Sequence, residues 1–570
     1  MSSLTQRFIV NKISLGIIFS LLMLYPLFFR MDFAAATTFD VTDFLHLISS
    51  AAIAYLLILC AFLGLYIGTL SSKNTTFLLP LVIVLVFFAL FTASQYPALS
   101  DQANFLHGRL AVEIINSGHF PLASIQGNYY IEWPGAFTMR AVSSLVLGLP
   151  EIESASVLSF VFQILIVLFF YVFAKTKLGS FLAGLVPAVF LLSNLIYTQS
   201  QVGFFCPQLF SLPLFLLILY CCTKNVSRNN ATKMQVVIIL LSFTIFISHP
   251  ITPVFLLPAL AGICLLNAYM SHRGEKTFSL MNFRLLFLLF ILFLAWSIFS
   301  AWGEFSQGIS QIVLLGNPRA VVELQPLHYE GILLNSLSYY WKILDLIIVI
   351  AAFYLFIRFF RGGVKERANL VVLSGILLGV ASGGLLFSFT GIFTLTRTIM
   401  FQLIPAIFLA VLLAKRYVGQ KVLTFGLILL LIPSFLSIYS FSSVNQVFQH
   451  SWEISACQWL SKENINRKFV SSDYDTMMIY SYYDPNSWPN GIVGNEEITN
   501  YTIPIASNPF FKGDFMIRSI RQDLLKTNIF QEQNNQGLEY WSQIGSYANN
   551  CSKLDKIFDN NYVKIYARNG

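Results

Sequence analysis

The chain has 570 residues, of which 56% are hydrophobic and 11% charged, against roughly a quarter charged in an ordinary soluble protein. Its 35 Lys and Arg outnumber its 27 Asp and Glu, giving a net charge of +8, and its mean hydropathy is +0.69. These values argue against a soluble enzyme, a disordered chain or a disulfide scaffold, and they fit a polytopic membrane protein. The basic residues sit in short clusters between apolar runs. That pattern sets membrane topology and is not a nucleic-acid footprint.

A membrane span needs about 20 apolar residues. Apolar runs near 13–29, 48–70, 76–94, 155–174, 180–198, 205–222, 235–249, 251–270, 285–302, 336–357, 369–388, 392–414 and 422–440 predict about 13 spans. The run 235–249 is short and meets His249-Pro250, where the chain must turn or kink. Arg7 and Lys12 precede the first run, which reads as an uncleaved signal-anchor. Under a single alternation, Lys73, Lys175 and Lys177, Lys224, Arg228 and Lys233, Arg273, Lys276 and Arg284, Arg358, Arg361, Lys365 and Arg367, and Lys415, Arg416 and Lys421 all fall on the same side as Arg7. Positive loops face the cytoplasm, so the N-terminus is predicted to be cytoplasmic and the segment from Phe441 extracytoplasmic.

The other face carries a loop at 95–154, a loop at 303–335 and a tail at 441–570 polar enough to fold as a small domain. In the tail, Trp452 to Leu460 reads as an amphipathic helix, Lys468 to Asp473 as a strand running into a turn, and Tyr562 to Ala567 as a closing strand. An α/β or α+β module is expected there. An oxidising exterior permits Cys457 and Cys551 to pair, whereas Cys60, Cys206, Cys221, Cys222 and Cys264 read as small apolar packing residues. No Cys/His spacing resembles a zinc site.

The loop 95–154 is dense in ionisable and aromatic side chains: Tyr96-Pro97, Asp101, His107, Arg109, Glu113, His119, Tyr129 to Gly135 and Arg140. Asp101 follows the third span closely, and a carboxylate at the membrane surface can accept a proton from an acceptor hydroxyl or amide. Residues 104–115 have helical periodicity and suit a helix lying in the interface plane. On it, Arg109 and Glu113 stand four apart and can pair. The stretch Tyr-Tyr-x-Glu-Trp-Pro, with Glu132 and Trp133, suits sugar stacking, although Tyr and Trp at a membrane boundary also form the ordinary aromatic belt. Arg397 stands a few residues inside the external end of a predicted span. A charge at mid-span costs about 2.5–3.5 kcal/mol and less near the interface, and an Arg there either snorkels to the headgroups or binds a lipid-linked phosphate. His249 either donates to such a phosphate or is an interfacial histidine satisfied by the protein. Arg319, Glu323, His328 and Glu330 are candidates in the second loop. The Asp473-Tyr474-Asp475 string is of a length that occurs by chance. No P-loop, GxSxG or HExxH occurs in the chain.

These residues resemble the GT-C superfamily of integral membrane glycosyltransferases, archaeal and bacterial members in particular. Tyr96-Pro97 through Asp101 and His107 to Tyr130-Ile131-Glu132-Trp133-Pro134-Gly135 is similar to the family's first large external loop, which carries a catalytic acid. Arg397 with Phe401 and Pro405 is similar to its late-span Arg facing the lipid phosphate. Ala456 to Leu460 and Ile557 to Tyr566 look like the external-domain ending of archaeal members. The resemblance implies a mainly α, polytopic membrane helix bundle, GT-C-like, with a small C-terminal extracytoplasmic α/β domain. It divides the chain into an added transmembrane hairpin (1–72), a GT-C-like module (73–440) and a soluble domain (441–570). Two departures are visible. The family's acidic loop usually follows the first span of the module, and here two spans come earlier. The loop also lacks a DxD or Asp-Glu pair, having Asp101 with the separate Glu113 and Glu132.

The implied activity is transfer of a hexosyl or pentosyl unit from a polyprenyl- or dolichyl-phosphate donor to a glycan, lipid or protein acceptor on the external face. Asp101 is the implied catalytic base, and His107, Arg109, Glu113, Glu132, Trp133, His249, Arg319 and Arg397 are the implied substrate-binding residues. No cofactor is required, a divalent metal is compatible, membrane lipid surrounds the chain, and no nucleic acid is involved. Alternatives are a lipid-linked oligosaccharide ligase or polymerase, and a transporter or flippase of a lipid-linked glycan. A transporter would show internal repeats and mid-span ionisable groups. Asp345 is the clearest mid-span charge.

Overall fold

The computed structural model describes residues 103–119, 132–178, 180–193, 205–224, 228–272, 280–303, 305–306, 332–360, 367–388 and 395–417, Pro80 and Val84, and five strands between 469 and 568. The helices are α1 (Ala103–Ser117), α2 (Gly135–Leu147), α3 (Glu151–Leu178), α4 (Ser180–Ser193), α5 (Pro207–Thr223), α6 (Arg228–Phe246), α7 (Ile251–His272), α8 (Phe283–Phe299), α9 (Ile332–Phe360), α10 (Arg367–Ser388) and α11 (Leu395–Tyr417). Helices α3 to α11 coincide with the nine spans expected from 155–174 to 392–414. The expected spans at 13–29, 48–70 and 422–440 lie outside the described residues, and within 76–94 only Pro80 and Val84 are described, both helical.

Local chemistry sets the helix ends. Glu151 and Glu153 open α3 while Lys175 and Lys177 close it, each sign matching the helix dipole. Pro207 starts α5 where its missing N–H costs nothing, and Cys206 caps it by accepting from the Leu209 N–H at 3.4 Å. Asn282 caps α8 through the Leu285 N–H at 2.9 Å. Gly148, at φ 64°, ends α2 in the left-handed conformation that glycine adopts without strain.

Helices α3 and α7 are long and apolar enough to cross a membrane. The outer faces of two further helices are apolar and exposed: Phe283, Phe287, Phe290 and Ile291 on α8, and Ile343, Leu346, Ile347 and Ile350 on α9. Such stripes are unfavourable against water and at home against lipid. The interior is aromatic, with Phe173 on Phe408 and Phe170 on Phe190 at 4.7 Å between ring centroids. Helices α7 and α10 meet backbone to backbone. A Cβ on Gly262 would fall 2.0 Å from the Gly375 oxygen, and one on Gly379 would fall 2.0 Å from the Pro258 oxygen, so only glycine permits this small-residue seam.

Hydrogen bonds gather the helix ends into two groups. At one end, Lys177 Nζ donates to the Thr223 carbonyl at 2.8 Å, the Leu280 N–H to the Cys222 carbonyl at 3.4 Å, and Gln235 to the Leu280 carbonyl at 3.5 Å. The ends of α3 and α5 therefore meet the starts of α6 and α8, and Lys175, Lys177, Lys224, Arg228, Lys233 and Arg284 belong to this basic end. At the other end, the Gly135 N–H donates to the Ile247 carbonyl at 3.0 Å, the Gly303 N–H to Glu132 at 3.0 Å, and Arg140 to the Phe205 carbonyl at 3.2 Å. This loop end joins the starts of α2, α3, α5 and α7 to the ends of α6 and α8. Helices α5, α6, α7 and α8 thus run in alternating directions.

Five strands form one sheet in the order β2-β1-β3-β5-β4: β1 (Phe469–Ser471), β2 (Ile492–Val493), β3 (Phe515–Ser519), β4 (Leu554–Asp559) and β5 (Val563–Arg568). β1 pairs in parallel with β2 and β3, and β5 pairs antiparallel with β3 and β4, with a bulge between Lys556 and Phe558. The strands expected at 468–473 and 562–567 fall on β1 and β5. The helix expected at 452–460, the string 473–475, Cys457 and Cys551 lie outside the described residues.

Candidate functional site

Within the loop 95–154, the described residues form α1 and α2 at the loop end. The stretch His107 to Ala111 of α1 is buried, and the His107 ring lies 5.2 Å from that of Phe137 on α2. Residues 104–115 suit a helix in the interface plane by their sequence, and the 107–111 stretch is covered by protein while 116–119 are exposed. Five consecutive residues make more than a full turn, so α1 is enclosed here on all sides, and its polar His107 and Arg109 are buried among protein groups. Arg109 Nε meets Glu113 Oε1 at 3.1 Å, the pairing expected from their spacing.

The Glu132-Trp133-Pro134-Gly135 stretch is stapled between two helix ends. Glu132 Oε1 accepts from the Gly303 N–H beyond α8, and Gly135 donates to the Ile247 carbonyl beyond α6. A Cβ on Gly135 would lie 2.1 Å from Ser248 Oγ, so glycine is needed for this approach. Trp133 is buried, with its indole N–H unpartnered among the described residues. The stretch thereby abuts the 247–249 turn that carries His249.

His249 is also buried. Its Nδ1 stands 2.7 Å from Thr252 Oγ1 and accepts from the Thr252 N–H at 3.2 Å, so it satisfies an orphan donor in the first turn of α7. A nitrogen that accepts carries no proton, so the neutral ring bears its hydrogen on Nε2. His249 thus caps the first turn of α7.

Arg397 is the third residue of α11. One turn on, Met400 sulfur accepts from Gln208 Nε2 at 3.6 Å, and Phe401 stacks on Phe255 at 4.4 Å with 13° between planes. Gln208 and Phe255 stand in the opening turns of α5 and α7, so the opening turn of α11 lies at the same end as theirs. Helix starts carry partial positive charge and free N–H groups, and they favour anions. The side chain of Arg397, and both Asp101 and Arg319, lie outside the described residues.

Sequence reasoning named Arg140 and missed its partner. Arg140 forms a buried ion pair with Glu151, through Nε and Oε1, and Nη1 donates to the Phe205 carbonyl. The available signal was an arginine among small and apolar residues on α2, followed by a Gly-Leu-Pro turn and an acid at the first position of the next helix. Among the described residues, no group of three or more His, Cys, Asp or Glu is placed to hold a metal.

No protein-family model matches the chain, and no curated protein sequence matches it. Solved structures to which it is similar include ArnT from Cupriavidus metallidurans bound to undecaprenyl phosphate. That likeness has 10% identity over 86% of this chain and 97% of that one, with a TM-score of 0.49. Another is the archaeal oligosaccharyltransferase AglB from Archaeoglobus fulgidus in complex with an inhibitory peptide and a dolichol-phosphate, at 10% identity, 79% and 70% coverage, and 0.48. The Archaeoglobus fulgidus oligosaccharyltransferase complex with Zn and sulfate is similar at 13% identity, 83% and 70% coverage, and 0.44. At scores of 0.44 to 0.49, these likenesses carry no activity over to this chain.

Proposed function

We propose that the chain is an integral membrane glycosyltransferase of the GT-C type. It moves a sugar from a polyprenyl- or dolichyl-phosphate donor to a glycan, lipid or protein acceptor. The observation that carries this reading is the loop end itself. There, in an otherwise apolar bundle, the opening turns of α5, α7 and α11 come together with buried His249 and the stapled Glu132-Trp133. Helix starts with an Arg in one of them suit a lipid-linked phosphate. The basic end suits the cytoplasmic face under the positive-inside rule, so the loop end is read as exterior, and the odd number of expected spans puts 441–570 on that side too.

In this reading the donor enters from the outer leaflet with its phosphate near Arg397, His249 and Arg319. Asp101 takes the proton from the acceptor, the acceptor atom attacks the anomeric carbon, and the bond from that carbon to the phosphate oxygen breaks. The lipid phosphate departs with the electron pair, and the anomeric centre inverts. Phosphate is already a good leaving group, so a divalent metal is compatible with the step without being required. Glu132, half-buried, meets the sugar, and Glu113 faces the acceptor, while the buried Trp133, His107 and Arg109 support them from behind.

The experiment is transfer from a panel of radiolabelled polyprenyl-phosphate sugars to endogenous acceptors in membranes, wild type against Asp101→Asn at matched expression. Turnover lost in the variant supports the proposal. Turnover retained moves the base to Glu113 or Glu132. One observation favours the flippase alternative: Asp345 lies mid-way along α9, with Oδ1 buried and unpartnered among the described residues. Movement of labelled lipid across proteoliposomes, with no turnover for any donor, would establish that alternative.

A further inference from the structure

The first turn of α5 is gripped from two sides. On one side Arg140, paired with Glu151 at the start of α3, donates to the carbonyl of Phe205. The next residue, Cys206, caps α5 through the Leu209 N–H. On the other side Gln208 Nε2 donates to Met400 sulfur, one turn beyond Arg397. Arg140, Gln208 and Met400 are 1%, 5% and 0% exposed. The grip is therefore dry, and the two sides have little room to move independently.

We infer that Arg140, held by Glu151, is a positioning residue for the donor phosphate. It fixes the entrance of α5 and, through Gln208 and Met400, the turn of α11 that carries Arg397. This inference rests on the proposed role of Arg397. It also explains why an arginine stands at position 140. Two different nitrogens reach two acceptors on separate helices, which a single ammonium does not reproduce. Arg140→Lys retains the positive charge beside Glu151 and so avoids an uncompensated buried carboxylate, while losing the second bond to Phe205.

The test uses the full chain in lipid nanodiscs, with dolichyl phosphate as the binding probe and transfer kinetics measured alongside. Arg140→Lys is expected to weaken dolichyl phosphate binding about tenfold and to raise KM by a similar factor with kcat little changed. Gln208→Leu cuts the same path on the far side of α5 without leaving a buried amide unpaired. It is expected to act in the same direction, and it tests the path if Arg140→Lys does not fold. Arg397→Ala is expected to weaken binding roughly 100-fold, and adding Arg140→Lys to it should weaken binding no further. If the Arg140→Lys effect persists undiminished in the Arg397→Ala background, the residue only supports the fold and the inference is overturned. If Arg397→Ala weakens binding while neither Arg140→Lys nor Gln208→Leu does, the inference falls alone. If Arg397→Ala binds like wild type, the proposed donor site falls and the inference with it.

Discussion

The two ends of the bundle treat charge in opposite ways. At the basic end, Lys175, Lys177, Lys224, Arg228, Lys233 and Arg284 carry one sign, and no acid accompanies them among the described residues of those segments. At the loop end both signs occur: Arg109 pairs with Glu113, Arg140 pairs with Glu151, and Glu132 accepts a backbone N–H. Charges of one sign at a helix boundary orient the chain and require no precise partners. Buried charges of both signs need partners at fixed positions, and such arrangements concentrate where chemistry is done. One sign of charge therefore accumulates at the basic end, while at the loop end the Arg109–Glu113 and Arg140–Glu151 pairs cancel.

The largest effect is expected at the proposed base. Asp101→Asn is expected to lower transfer by about 10²–10⁴-fold at unchanged abundance, read as labelled product per unit of protein. Next, Glu151→Ala leaves Arg140 buried without its partner and is expected to cost about 3–5 kcal/mol of stability. Lys175→Ala at the basic end should change stability by less than about 0.5 kcal/mol. Thermal unfolding of the two purified variants checks both, and equal losses would erase the distinction between the ends. Gly135→Ala comes third. Its Cβ would meet Ser248 Oγ, so it is expected to cost about 1–3 kcal/mol and to raise KM by displacing Glu132 and Trp133. An alanine that leaves Tm and KM unchanged would show that the staple is loose.

Much of the bundle was legible because apolar length is a coarse signal. The helices from α3 to α11 fall on the expected spans, and α1 and the Arg109–Glu113 pair follow from periodicity and spacing. Less legible was anything depending on which helices meet. Glu151 reads as an ordinary acid at a helix start until Arg140 is seen beside it, and Gln208 gives no sign of Met400, 192 positions away. Gly375, Gly379 and Gly383 recur every four residues, but the seam is apparent only once Gly262 and Pro258 on the facing helix are placed against them. The sequence does not choose between two readings of His249, and the structure shows its Nδ1 engaged by Thr252 at the start of α7.

The smallest expected effect tests the solvent of the loop end. Helix α2 has reversed polarity: Arg140, Ser143 and Ser144 are buried, while Val142, Leu145, Val146 and Leu147 are exposed, Val146 by 78%. In water the exposed apolar face is costly. Against lipid the outer face is satisfied, and the inner face is satisfied by Glu151 and Phe205. Val146→Lys separates the two environments. If α2 faced water, lysine would replace an exposed valine and stability would hold or improve slightly. If α2 borders the hydrocarbon, the ammonium must snorkel toward the headgroups, and the loss near an interface is expected to be about 1 kcal/mol or less. The lipid effect should appear as a lower Tm in nanodiscs than wild type and a smaller difference in detergent micelles, whose surface deforms to hydrate the charge. A variant more stable than wild type in nanodiscs would place α2 in water, and the loop end would then stand clear of the leaflet from which the donor is proposed to enter.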